Sequence, residues 1–237
     1  MGRRIGFIPA DARLADPERE LPLQMYLAES PCSLEQLADN VNDQLRRDGR
    51  CIVVISEGFD VGQIGERKDS FGHTQFSSSE ITVAQRVVNY LNEQGLATRG
   101  SARGNVPGTD QRHSMAYAST VDLDEAYRAG QTAAHLAAAG DSGHMATLLR
   151  QPGEVYGVRY DKVPLADVAN SERSFPASWI ADSGCDVTDH FLRYAQPLVG
   201  EGMLSLPMVG GRQRLTQFEP RYANQVLEPY SPQADRH

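Results

Sequence analysis

The sequence is poor in cysteine, in long apolar runs and in positive charge, and each shortage narrows what the chain can be. Its three cysteines, Cys32, Cys51 and Cys185, are odd in number and show no C-x-x-C spacing, which supports neither a disulfide framework nor a zinc site. They read as reduced thiols used in packing. The longest apolar run extends only from Cys51 to Ile55, far short of the roughly 20 residues a membrane helix needs. Arg3 and Arg4 lead into no sustained apolar stretch of the kind a secretion signal uses, so the expected location is the cytoplasm. With 31 acidic against 23 basic side chains and a formal net charge of −8, the overall basic footprint of a nucleic-acid binder is missing. Any cationic site must be local. The 237 residues are nonetheless enough to bury a sizeable core.

What is present reads as α/β. Leu23 to Ala28 predicts a short strand. Ser33 to Arg47 predicts a helix, with Ser33 and Gln36 as a capping box, Leu34, Leu37, Val41 and Leu45 at helical spacing, and Gly49 as the stop. The following CIVVIS run has the β-branched character of a parallel strand covered on both faces, completing a β-α-β unit. After a long polar loop, Ile81 to Gln94 predicts a second helix ended by Gly95, and an alanine-rich helix spans Ser119 to Ala139 before a strand at His144 to Leu149. The tail after Gly210 reads as loose and polar.

One stretch stands out against the acidic whole. RGSARGNVPGTDQRH, Arg99 to His113, holds three arginines and a histidine among glycines, a proline and small polar residues. It is expected to begin as a strand and to turn at Gly104, Pro107 and Gly108. In open α/β sheets ligands bind beyond the carboxyl ends of strands, so Glu57, which ends the CIVVIS strand, and the arginine loop are expected to face one crevice. Arginine grips phosphate through a planar fork of paired donors, and a carboxylate suits sugar hydroxyls. Each charge-assisted bond contributes roughly 1.5–3 kcal/mol. The combination points to a sugar-phosphate pocket.

These residues resemble a family. MGRRIGF at the start, VVISEGFD at the first crevice and RGNVPGTDQR, in that order, are similar to the second half of phosphofructokinases, especially the pyrophosphate-dependent and mixed-donor branch. The resemblance implies a parallel-sheet phosphofructokinase-like substrate domain with the donor domain largely missing. It implies that Met1, Gly2 and Arg3 form a turn touching fructose 6-phosphate, with Arg3 as the catalytic contact to the transferring phosphoryl group. It further implies that Glu57 binds the sugar hydroxyls, that Arg112 holds the 6-phosphate, and that Arg103 reaches the 6-phosphate from a neighbouring subunit of a homodimer or homotetramer. Magnesium is the implied cofactor and pyrophosphate or ATP the donor.

Departures matter equally. Thr109 stands where relatives carry His or Tyr, and His113-Ser114 where ATP-using relatives show a glycine pair, which leans towards pyrophosphate. The family's Gly-Gly-Asp loop for phosphates and metal and its Thr-Ile-Asp segment, whose aspartate is the base, do not occur. The expectation is therefore a chain supplying the sugar-phosphate half: residues 1–112 bind fructose 6-phosphate, 113–150 form a segment that in the family packs on the donor domain, and 151–237 form a C-terminal extension. The alternative is a non-catalytic fructose 6-phosphate-binding module or a truncated inactive fragment. No nucleic-acid or membrane partner is expected. Arg99 reads as a solvated strand end and His73 as part of a polar loop. Asp186, Asp189 and His190 read as the acidic start of a helix, and Trp179, Tyr156 and Tyr160 as core.

Overall fold

The computed structural model describes residues 5–62, 67–68, 74–75, 82–107, 114–169, 171, 173–202, 204–222, 224 and 226. The chain divides into two compact units, Met1–Leu204 and Ser205–His237. At the centre of the first, strands β1 (Leu23–Tyr26) and β2 (Ile52–Ile55) pair in parallel, in register from Leu23↔Ile52 to Tyr26↔Ile55. Helix α2 (Leu34–Asp48) makes the crossover, so the expected β-α-β unit is present. Its ends obey local chemistry. Ser33 and Gln36 exchange side-chain and backbone hydrogen bonds as a capping box, and Gly49 takes a left-handed φ of 70° that closes the last turn on the Leu45 carbonyl. A short antiparallel pair, β3 (Arg67–Lys68) and β4 (Thr74–Gln75), follows. Helix α3 (Val83–Gln94) then starts at Thr82, whose hydroxyl accepts from the Gln85 N–H at 3.1 Å.

Alternation along β1 sorts the core into two layers, because successive strand side chains point to opposite faces. Tyr26 packs with Leu37, Val41, Val87 and Leu91 beneath α2 and α3, while Met25 and Leu27 join Ala10, Phe175 and Phe191 on the other face. Gln24 is buried on the Tyr26 side and fully engaged: it accepts from the Tyr26 hydroxyl at 2.9 Å and donates to the Asn40 carbonyl at 3.0 Å. The three cysteines are free and half-buried at the rim of the first layer. Burial pushes the Cys51 thiol up to about 11, so it stays protonated near neutral pH.

The rest of the first unit comprises α4 (Thr120–Ala138), the antiparallel pair β5 (His144–Arg150) and β6 (Val158–Pro164), a single turn α5 (Leu165–Val168), and α6 (Asp189–Val199). Helix α6 and the short α1 (Phe7–Ala10) close the second core layer, where the rings of Phe7, Phe175, Trp179 and Phe191 pack edge-on or tilted at 5.1–6.2 Å. The second unit carries one hairpin, β7 (Met208–Val209) and β8 (Arg212–Gln213). Its two-residue turn is Gly210-Gly211, with φ of 57° and 76°, the signs that tight hairpins require. No helix among the described residues is long and apolar enough to cross a membrane.

Two expectations are corrected. No strand forms over 96–107: Gly100 takes φ of 133°, and Pro107 has no N–H to give to a ladder. Strand β2 therefore keeps an open edge; Val53 and Ile55 pack into one core layer and Val54 into the other, but they stay half-buried, and Ile52 is 46% exposed. Tyr156 and Tyr160 are not core either; both are half-buried beside Glu125 and Arg128 at the surface, and the Tyr156 hydroxyl donates to Glu125 at 2.6 Å.

The acidic group before α6 does more than favour the helix start. Arg13, 1% exposed, directs five N–H donors at five oxygens: Nε and Nη2 to the two oxygens of Asp186 at 3.0 and 3.1 Å, Nη1 to the Asp16 carboxylate at 2.7 Å and carbonyl at 3.3 Å, and Nη2 to the Leu23 carbonyl at 3.0 Å. Asp189 takes Arg19 at 2.9 Å. Removing one partner of a buried pair strands the other. Urea denaturation of Arg13→Ala should accordingly show a loss of about 3–5 kcal/mol, whereas Asp189→Ala, at an exposed pair, should cost less than about 1 kcal/mol.

Asp11, in the turn after α1, is exposed as a residue, yet protein packed about its carboxyl desolvates it and the Asp122 charge adds to the effect, raising it from 3.8 to about 6. The folded state thus holds this proton more tightly than the unfolded chain. The group's contribution is full below pH 3.8, is lost as pH rises through about 6, and leaves ionised Asp11 unfavourable above that. Asp11→Asn should therefore gain in melting temperature over the parent across that window and hold a constant advantage above it, as pH-resolved thermal melts would record.

Candidate functional site

Because β1 and β2 run parallel, their carboxyl ends lie on the same side, and there the chain makes a tight turn. The Ser56 N–H donates to the Tyr26 carbonyl at 2.8 Å, the Gly58 N–H to the Ser56 hydroxyl at 3.2 Å, and the Phe59 N–H to the Ser56 carbonyl at 3.1 Å. Ser56 and Phe59 are buried, with the Phe59 ring edge-on to Tyr26 at 5.5 Å. Glu57, between them, is exposed. The turn fixes its backbone and presents its carboxylate to solvent.

A cleft of about 870 Å³ runs along β2 and reaches this end, walled by β2, α3 and the segment Thr98–Pro107. Glu57 and Arg103 both line it, so two of the residues singled out by sequence are brought to one cavity; Arg50 and Arg99 also border it. Its floor is apolar, from Val53, Ile55, Val87 and Leu91. The cleft exists because no strand covers β2 here. Arg99 and Arg103 are exposed. Met1, Gly2, Arg3, His73, Thr109 and Arg112 lie outside the described residues.

Side-chain amides stand in for the missing ladder. Asn92 of α3 accepts from the Ala102 N–H at 2.8 Å and donates to the Ala102 carbonyl at 3.2 Å, and Asn42 of α2 accepts from the Ala97 N–H at 2.7 Å. Arg103 is therefore attached one residue beyond a fixed point. Gly104 runs close to α3, where an added Cβ would stand 3.1 Å from the Val88 side chain. Sequence reasoning missed both asparagines, since a polar residue on an exposed helix face carries no signal of what it holds. The cleft is thus bordered by one carboxylate, Glu57, and by the guanidinium-bearing Arg50, Arg99 and Arg103, groups whose chemistry suits hydroxyls and an anion respectively. Among the described residues there is no cluster of acidic, histidine or cysteine side chains able to hold a metal.

No protein-family model matches the chain. A pyrophosphate–fructose 6-phosphate 1-phosphotransferase of Rhodospirillum rubrum is 33% identical over 213 residues, which cover 86% of this chain and 52% of that protein. An ATP-dependent 6-phosphofructokinase of Mycobacterium bovis is 30% identical over 189 residues, covering 77% of this chain and 49% of that protein. The crystal structure of a pyrophosphate-dependent phosphofructokinase from Nitrosospira multiformis superposes with a TM-score of 0.78 at 28% identity, over 98% of this chain and 54% of that one. The chain spans about half the length of the curated relatives it matches. The chain is thus similar to phosphofructokinases and shares the α/β fold of the Nitrosospira multiformis protein over that part, in line with the resemblance that the three motifs carry.

Asn92→Ala should release Ala102. The expected result is faster amide exchange at Ala102 and its neighbours, with a stability loss of about 1 kcal/mol for the lost bonds, measured by hydrogen exchange and denaturant melts.

Proposed function

We propose that this chain is the sugar-phosphate-binding part of a phosphofructokinase-type phosphotransferase, which moves a phosphoryl group from pyrophosphate or ATP to the 1-hydroxyl of fructose 6-phosphate. The observation that carries the reading is the sharing of one cleft, which reaches the carboxyl end of a parallel strand, by Glu57 and Arg103. Glu57 accepts hydrogen bonds from the sugar hydroxyls, and Arg112 grips the 6-phosphate. Arg103, for which the resemblance implies a contact to the phosphate of a neighbouring copy, lines the cleft of its own Glu57 and serves the phosphate held there. Thr109 offers its hydroxyl to the sugar, Met1 and Gly2 touch the sugar phosphate, and Arg3 neutralises charge on the group in transit. The protein that works this way is cytoplasmic and glycolytic.

Transfer also requires a base and a metal. Magnesium, implied by the resemblance, finds no fitting cluster among the described residues, so no step in this chain is routed through it. Recognition is the part these residues perform by themselves: two guanidinium contacts to one phosphate, with hydroxyl contacts added, suffice for roughly micromolar to millimolar affinity.

Calorimetric titration tests the reading. Fructose 6-phosphate should bind and fructose should not, and Arg112→Ala should weaken the sugar phosphate at least roughly tenfold. A folded chain that ignores fructose 6-phosphate would overturn it. Binding without turnover when magnesium and donors are supplied would favour a non-catalytic module.

A further inference from the structure

The parallel ladder uses only one edge of β2. The Ile52 N–H donates to the Pro22 carbonyl and the Ser56 N–H to the Tyr26 carbonyl, both at 2.8 Å. Backbone groups along a strand alternate in direction, so Val53 and Ile55 aim their N–H and C=O groups away from β1, at the open edge. Both residues are half-buried and line the cleft. Among the described residues none pairs with those groups. The segment beside them is held off by side chains instead, Asn92 taking Ala102 and Asn42 taking Ala97.

Backbone groups out of water require partners, and an unpaired edge is a template for a further strand. The cleft is shaped for one. Leu45, Val87 and Leu91 of the first core layer line it, and so do Ile5 and Val54 of the second. A strand lying there would be covered on both faces, which selects apolar side chains along its length. The charged residues at the border add a sign: Arg50, Arg99 and Arg103 stand against Glu57 alone. An alkyl chain would satisfy the apolar walls and leave the Val53 and Ile55 groups without hydrogen bonds, which is costly. A peptide backbone satisfies both.

We infer that the cleft accepts a strand: an extended peptide with a four-residue apolar core, the length of β2, flanked by carboxylates and paired through its backbone with Val53 and Ile55. The inference uses the cleft but not the sugar-phosphate reading. A chain that binds such a peptide and ignores fructose 6-phosphate sustains this inference while overturning that reading.

The probe is a capped hexapeptide with valine and isoleucine alternating at the four central positions and an aspartate at each end. Calorimetric titration of the 237-residue chain should register binding, and hydrogen exchange at the Val53 and Ile55 amides should slow when the peptide saturates. Methylating alternate backbone nitrogens of the peptide gives two forms with the same side chains. The form whose methyl groups face β2 should bind at least roughly tenfold more weakly, as loss of backbone hydrogen bonds implies, and the other much less so. Val53→Pro removes a donor that faces the cleft and keeps the bonds to β1, a change that an edge strand tolerates; it should weaken the parent peptide roughly tenfold. If Val53→Pro does not fold, the two methylated peptides make the comparison on the unaltered chain. No binding, equal effects of the two methylations, unchanged exchange at Val53 and Ile55, or equal affinity for a lysine-flanked peptide would overturn the inference. So would amides at Val53 and Ile55 already protected in the free chain, since the edge would then be taken by the chain's own backbone.

Discussion

Among the described residues Arg13 is the one buried cation, and the second core layer depends on it. Taking a guanidinium out of water costs several kcal/mol, and the cost is offset only where each donor finds an oxygen. Here each does, from two carboxylates and two backbone carbonyls. The partners come from separate parts of the chain: Asp16 from the turn after α1, Leu23 from β1, and Asp186 from the loop before α6. Satisfying one side chain therefore fixes three elements together. Phe191 and Ala195 of α6 are then held against Met25 and Leu27. With that face closed, the strand ends that carry Glu29 and Glu57 have a rigid backing.

The other face shows what happens when a sheet is not continued. The segment 98–107 runs beside α3 without pairing to β2. Gly100 and Pro107 remove the regular dihedrals and a donor that a ladder needs. Backbone groups still require partners, and Asn42 and Asn92 supply some of them from the helices. The consequence is an open cleft with an apolar floor and arginines on its border. In a protein of net charge −8 this is a local reversal of sign. An anion is drawn to such a place only at short range, because charges beyond about 10 Å are screened at ordinary ionic strength.

Local elements were legible because local chemistry makes them. The Ser33–Gln36 box, the four-residue spacing of Leu37, Val41 and Leu45, and Gly49 in the left-handed conformation are properties of neighbouring residues. So is the alternation of β1. The Arg13–Asp186 and Glu29–Phe175 contacts join residues 173 and 146 positions apart. Neither end carries a pattern that names the other. The arginine stretch forms no strand for a reason visible in the sequence: besides Gly104 and Pro107, where the turn is expected, Gly100 already breaks the extended run with φ of 133°. Gly210-Gly211 was equally visible, and its meaning as a hairpin turn depended on Met208 and Val209 finding Gln213 and Arg212.

Helix α4 marks the division of labour. The Ser119 hydroxyl caps its first turn and donates to the Leu198 carbonyl, while a side chain at Gly200 would meet Thr120 at 2.7 Å. Its start is therefore attached to the end of α6. Beyond that turn none of its described side chains is buried, and Leu123, Tyr127 and, on the neighbouring hairpin, Met145, Leu148 and Leu149 remain exposed. The charged groups of the cleft, Glu57 and Arg103, lie elsewhere, on one strand end and one loop. On the reading proposed above, sugar-phosphate recognition and phosphoryl transfer, which requires further charge neutralisation, would draw on different groups.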